Sequence, residues 1–324
     1  MSAIARRTVI VLIALAVLVG APACGRRADT GLPSKAASST DPGSLAYAIM
    51  DQFSNTVGPR PADTWGEIRA REFVFHAFQQ YDYEPVLQEF IAQDGDGAAI
   101  HSANVIAVKP GESGATLVVG AHMDTVKGSP GALDNASGIG ALLEISARVK
   151  DVSTPCTIAF VAFGAEEAGL LGSVHYVDAL SDVERRAIAG MINLDSVAGG
   201  RVLYAYGDEA EGAWLLGDVL AIADRLQIEV ATDALLQVKP RALGGVGYKK
   251  AGDHIPFASH GIPVAGFVAA DEDLNAEGEP FFPMNTRRDT MATLQRRNPG
   301  QTRRQLRDVI EMLEVALTSK LAKQ

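Results

Sequence analysis

Five short segments of this chain collect side chains that bind divalent cations and carry protons. They are Ala121-His122-Met123-Asp124, Ala132-Leu133-Asp134-Asn135-Ala136-Ser137-Gly138, Glu166-Glu167, Asn193-Leu194-Asp195 and Gly252-Asp253-His254-Ile255-Pro256-Phe257. A sixth, Asn285-Thr286-Arg287-Arg288-Asp289-Thr290, follows towards the C-terminus. Singly, each residue has an ordinary explanation: a loop histidine, a solvated pair of glutamates, an Asp-Asn-Ala-Ser helix start. Occurring together in this order, they point to metal-assisted hydrolysis. Two cations roughly 3.5–4 Å apart can share a bridging carboxylate and a water, bringing that water's pKa from about 15.7 towards 7. A glutamate within hydrogen-bond reach then takes the proton and later passes it on. Consecutive glutamates in a loop suit this chemistry, because one can bind metal while its neighbour acts as the base.

The elements that must position these residues are legible as apolar runs. Residues 104–108, 116–120, 157–163, 191–194, 202–206 and 263–268 read as buried strands. Helical spacing recurs at Leu45, Ile49 and Phe53, at Ile68, Phe75 and Phe78, and from Gly138 to Val149. It recurs again over 210–226 and along Leu306, Ile310, Leu313, Leu317 and Leu321. Alternating strands and helices predict an α/β fold whose sheet is mainly parallel and covered on both faces. Such sheets bind ligands beyond the carboxyl ends of their strands, and His122, Asp124, Glu166, Glu167 and Asp195 fall there. Asp134 falls in a loop before a helix that Asn135 or Ser137 caps.

The N-terminus reads as an export signal over residues 1–23. Arg6 and Arg7 precede eleven apolar residues, too few for the roughly 20 of a membrane-spanning helix. Two cleavage readings stay open: Ala21-Pro22-Ala23 suits ordinary signal peptidase, while Cys24 after small residues resembles a bacterial lipobox, from which Pro22 departs. Residues 24–43, rich in Gly, Pro, Ser, Thr and Ala, read as a flexible tether, anchored by a lipid if Cys24 is modified. Residues 44–324 then form one domain. The second cysteine, Cys156, precedes an apolar run and reads as a small buried residue. Loss of the signal leaves 27 basic and 39 acidic residues, a net charge of −12. That excludes nucleic acid as an expected partner and leaves a lipid at Cys24 as the expected link to a membrane.

The six segments resemble those of the secreted two-zinc aminopeptidase family, whose relatives include glutamate carboxypeptidases, glutaminyl cyclases and the transferrin receptor ectodomain. The likeness extends to Asn104-Val105-Ile106-Ala107 and Gly261-Ile262-Pro263-Val264. It implies a three-layer α/β/α sandwich around a mixed, mainly parallel sheet, and an exported enzyme that removes N-terminal residues from peptides. Carried over by position, His122 binds the first zinc and Asp124 orients its ring. Asp134 bridges both metals, Asp195 completes the first site, Glu167 binds the second, and Glu166 is the general base.

The departure is Asn285, which stands where the family pattern has a histidine ligand to the second metal. An amide oxygen suits zinc poorly. The expectation is therefore one tightly held zinc and a second that is weaker or exchangeable. Two alternatives remain: a binding protein without catalysis on the same fold, and a glutaminyl cyclase. His254 is a candidate replacement ligand, disfavoured because family members commonly carry it alongside the missing histidine. His76 and His175 fall in predicted helices and read as structural. Residues 239–250, with three glycines and several basic groups, read as a loop at the rim of the site.

Overall fold

A computed structural model describes residues 31–33, 41–207, 213–232, 252–270 and 283–321. The expected signal segment, Cys24 and the 239–250 loop lie outside them. Seven strands form one sheet: β1 (Val86–Gln93), β2 (Ala99–Lys109), β3 (Thr116–His122), β4 (Thr157–Phe163), β5 (Ile188–Leu194), β6 (Val202–Gly207) and β7 (Val264–Ala270). Their order is β1-β2-β4-β3-β5-β7-β6. The centre, β4-β3-β5-β7, is parallel, whereas β1, β2 and β6 join antiparallel. The sheet is therefore mixed, with its parallel character confined to the middle.

Nine helices accompany it among the described residues: α1 (Ser44–Gln52), α2 (Trp65–Gln80), α3 (Ser137–Val149), α4 (Leu171–Asp178), α5 (Asp182–Ala187), α6 (Ala213–Leu226), α7 (His254–Ser259), α8 (Met291–Arg297) and α9 (Gln301–Thr318). Side chains of α1, α2, α3, α6 and α9 pack with Leu117, Val119, Phe160 and Ala162 on one face of the sheet. On the other face, Tyr176 and Val177 of α4 and Phe257 of α7 pack with Val118, Val161, Phe163 and Met191. Strands β3 and β4 thus bury both faces, which is why they read as unbroken apolar runs. β1 alternates buried Gln88 and Phe90 with exposed Leu87, Glu89 and Ile91. That half-buried pattern escaped the search for apolar runs.

Glu144 of α3 is fully buried, and its two oxygens accept the Gly43 and Ala46 amides at 2.9 and 2.7 Å, capping α1 from 98 residues away. Within the expected tether, Leu32 packs on the core and Pro33 O accepts from Gln80 Nε2 at 3.2 Å, so the middle of that segment is held against α2. Cys156 is buried, as its surroundings in the sequence suggested. Among the described residues no helix is long and apolar enough to cross a membrane.

Candidate metal centre

The central strands deliver the candidate ligands. Register pairs His122 with Phe163 across β3–β4 and Gly120 with Asn193 across β3–β5, which brings three strand ends level. Asp195 follows β5 directly. His122 Nε2 lies 3.0 Å from Asp134 Oδ1 and 3.4 Å from Asp195 Oδ1. The ligand atoms of these three residues all fall within 4.8 Å of one another, the one such group of three among the described residues. His122 Nδ1 faces Asp124 Oδ1 at 3.5 Å. The ring thus offers one nitrogen to a cation and the other to a carboxylate, the usual arrangement for a metal-binding imidazole.

Asp124 has a second task that its place in the sequence did not suggest. It is fully buried, and its oxygens accept the Glu166 and Glu167 amides at 3.0 and 3.1 Å. The two preceding amides are held as well: Ala165 N–H donates to Glu67 Oε1 and Gly164 N–H to Asn104 Oδ1, each at 3.1 Å. Four consecutive amides are thereby bound by side chains from α2, β2 and the segment after β3. Ala165 adopts a left-handed φ of 54° inside this turn, a conformation that such external bonds must hold in place.

The segment carrying Asp134 is fixed in the same manner. Asp289, fully buried, accepts the Leu133 and Asp134 amides at 2.6 and 3.0 Å. Asn135 Oδ1 accepts from Gly138 N at 2.9 Å and from Ser196 N at 3.1 Å, and its Nδ2 donates to Leu194 O at 2.9 Å. Asn135 therefore caps α3 and also ties the Asp134 loop to both neighbours of Asp195. Ser137 does not cap; its hydroxyl donates to Leu133 O at 2.6 Å. Gly138 is required by close approach, since a Cβ there would lie 2.2 Å from Leu194 O.

Arg60 went unnoticed in the sequence, as a Pro-flanked arginine between two helices. Its guanidinium is fully buried and donates to Met123 O (2.6 Å), Gly58 O (3.0 Å), Pro130 O (2.8 Å) and Gly131 O (2.9 Å). It also stacks on Phe53, 4.5 Å from the ring centre. One side chain thus joins the His122–Asp124 stretch to the loop leading into Asp134. Burial lowers its pKa to about 10, against the pull of Asp289, Asp124, Asp134 and Glu167, so it stays charged at neutral pH.

The centre holds more carboxylate than it can keep ionised. Burial, then the neighbouring carboxylates, raises Glu166 and Glu167 well above the usual carboxylate range, and Asp134 is raised chiefly by burial. Burial lowers His122, but Glu166, Asp124, Asp134 and Asp195 together lift it well above its ordinary value. Asp253 and Asp289 are each pushed up to about 7, burial being the main cause. Protons gather where a divalent cation would supply the balancing charge. Glu167 Oε1 points the same way, as a buried acceptor with no hydrogen-bond partner among the described residues. One imidazole and two carboxylates fit zinc with room for water.

The other expected residues are placed as follows. Asn285 has φ 58°, a left-handed conformation that Asn, Asp and His tolerate better than other side-chain-bearing residues. His254 is buried at the start of α7 with its ring 4.9 Å from Tyr206, and it stands outside the ligand group of His122, Asp134 and Asp195. His76 lies exposed on α2, and His175 lies on α4, stacked on Phe90 at 5.0 Å. Glu67, like Arg60, was not singled out in the sequence. Its one local signal is the Thr64-x-x-Glu67 spacing of a helix start, borne out by Thr64 accepting the Glu67 amide at 3.4 Å.

A family model described as Peptidase family M28 matches residues 104–310, more than half of the chain. Aminopeptidase YwaD of Bacillus subtilis is 34% identical over 188 residues, covering 56% of this chain and 38% of that protein. The chain therefore spans well under half the length of that relative. The alkaline phosphatase isozyme conversion protein of Escherichia coli is 28% identical over 326 residues, covering 89% of this chain and 93% of that protein. A zinc aminopeptidase structure from Bacillus subtilis superimposes with a TM-score of 0.71 at 19% identity, over 89% of this chain and 96% of that one. The glutaminyl cyclase of Porphyromonas gingivalis superimposes with a TM-score of 0.65 at 22% identity, over 84% of this chain and 96% of that one.

Proposed function

Because the chain belongs to peptidase family M28, we propose that it is a zinc-dependent exopeptidase that hydrolyses the N-terminal peptide bond of its substrates. The observation that carries this reading is the set His122, Asp134 and Asp195, with ligand atoms within 4.8 Å of one another, beside the tethered Glu166-Glu167 turn. The same three residues would hold the tight zinc, with Asp124 orienting the ring of His122. Glu167 and Asp134 would hold a second, weaker ion with the amide oxygen of Asn285. When bound, zinc lowers the pKa of a coordinated water towards about 7 and polarises the scissile carbonyl.

Glu166 acts on the protons. It takes a proton as the water oxygen bonds to the carbonyl carbon. It then delivers that proton to the amine as the C–N bond breaks. The bonds from Asp124 to both glutamate amides hold this carboxyl in place during the exchange. The mature protein, with zinc supplied, should release product from aminoacyl-nitroanilides and short peptides, and a chelator should stop it. No turnover across a broad dipeptide panel with Zn, Mn or Co would favour a non-catalytic binding protein instead.

Glutaminyl cyclisation is the second reading, favoured by the fold shared with the Porphyromonas gingivalis cyclase and by a ligand group that suits one metal. Pyroglutamate formation from a peptide with N-terminal Gln would identify it. We also propose that the chain is exported, with Cys24 as the site of lipid attachment. Labelling with a radioactive fatty acid, lost in Cys24→Ser, tests that point.

A further inference from the structure

A cavity of about 950 Å³ opens between the start of α2, β1, β2 and α4, and the chemistry described above does not use it. That volume is at the upper end for ordinary ligand pockets, about 300–1,000 Å³. Its floor is Glu67 and Ser102. Ser102 Oγ donates to Glu67 Oε1 at 2.5 Å, and the same oxygen accepts the Ala165 amide at 3.1 Å, one residue before Glu166. The cavity and the base are therefore built on one stretch of backbone. Its mouth is open and mixed in character: Trp65, 79% exposed, and Ile91, 68% exposed, stand there with Asp63, Thr64, Glu89 and His101. Large apolar side chains left in water at the rim of a concave surface mark a place where a ligand docks. The stacked rings of Phe90 and His175 form a firm wall.

The order of the strands says which part of a substrate the cavity takes. Asp195 sits on the β5 side of His122, and Glu166 follows β4 on the opposite side. The leaving amine needs the proton that Glu166 carries, so the chain beyond the scissile bond departs over β4 towards β2 and β1. The cavity lies there. We propose that it is the subsite for the residues of a peptide beyond the scissile bond, with Trp65 and Ile91 as its apolar contacts. The substrates are then peptides of several residues rather than dipeptides. This inference rests on the exopeptidase reading.

The test is a length series. kcat/KM is measured for aminoacyl-nitroanilides and for di-, tri- and tetrapeptides with the same N-terminal residue, using wild type, Trp65→Ala and Ile91→Glu. In wild type, kcat/KM should rise from dipeptide to tetrapeptide, mainly through KM. In Trp65→Ala the ratio of tetrapeptide to nitroanilide kcat/KM should fall about tenfold, as for an aromatic contact at the centre of an interface. Ile91→Glu, an exposed substitution on a different element, should lower the same ratio. A flat length dependence in wild type, or an unchanged ratio in both variants, overturns the subsite. Failure to cleave any of these substrates with Zn, Mn or Co supplied overturns the exopeptidase reading itself, so the two failures are distinct.

Discussion

Asp289 holds Asp134 from 155 residues away: the Asp134 amide donates to Asp289 Oδ2 at 3.0 Å, while the Leu133 amide donates to Oδ1 at 2.6 Å. Asp124 holds Glu166 and Glu167 in the same way. In both places a fully buried carboxylate accepts two successive amides, one of which belongs to an expected metal ligand. Each pair of bonds thus fixes the backbone of an expected ligand.

Asp289→Ala removes one of these acceptors and leaves two buried amides unpaired. Unfolding in urea should show a loss of about 2–3 kcal/mol. Zinc affinity, measured by competition with a chromophoric chelator, should fall about 10–100-fold, as it does when groups behind metal ligands are lost. Wild-type affinity in a folded variant would mean that Asp134 is positioned by other contacts.

Metal analysis after dialysis should find close to one zinc per chain, because Asn285 offers a neutral oxygen where zinc prefers nitrogen. Asn285→His should raise the stoichiometry towards two and increase peptidase activity. The left-handed backbone there, φ 58°, is one that histidine also tolerates. Two tightly held zincs in the unmodified protein would assign the missing ligand to His254 or another group.

Glu166→Gln should lower kcat by about 10²–10⁴-fold while zinc binding stays nearly intact, because the amide keeps the shape of the side chain and loses the proton acceptor. Full activity in this variant would refute the assigned base.

Arg60→Met should unfold at lower urea, by about 3 kcal/mol or more, because the carbonyls of Gly58, Met123, Pro130 and Gly131 lose their donor. Arg60→Lys should recover part of that loss: it keeps the charge, but an ammonium cannot reproduce the planar fork. Equal stability of Arg60→Lys and wild type would show that charge alone matters at this position.

In metal-free protein, stability should depend on pH through Glu67. Burial, reinforced by Asp124, raises its pKa from 4.5 to about 7 against the bonds it accepts. The folded state then binds this proton more tightly than the unfolded state. Its contribution is present in full below pH 4.5 and is lost as pH rises through about 7. The amount is about 3 kcal/mol, at 1.36 kcal/mol per pKa unit. Urea unfolding of wild type across this interval should show the decline, and Glu67→Gln should flatten it. Parallel pH profiles for the two proteins would rule Glu67 out as the source.

Local sequence was enough to reveal the strands that carry the chemistry. β3, β4, β5 and β7 lie at the centre of a sheet buried on both faces, so each had to be apolar along its length. The residues at or just past their ends, His122, Glu166, Glu167 and Asp195, could be recognised because polar groups there leave the core at one shared rim. The edge strand β1 was missed for the converse reason: half its residues face water.

Tertiary structure decided what holds those ligands in place. Arg60 and Glu67 act on backbone groups dozens of residues away, so their own neighbourhood does not reveal these roles; Asn104 and Asp289 stand in segments the resemblance covers, but the amides they hold lie 60 and 155 residues away. Asn135 reads locally as a helix cap, yet it also binds the chain on both sides of Asp195. Metal-ligand types can be recognised in a string of residues. Burial, and the choice of which distant amide each carboxylate accepts, arises only once the chain has closed around them.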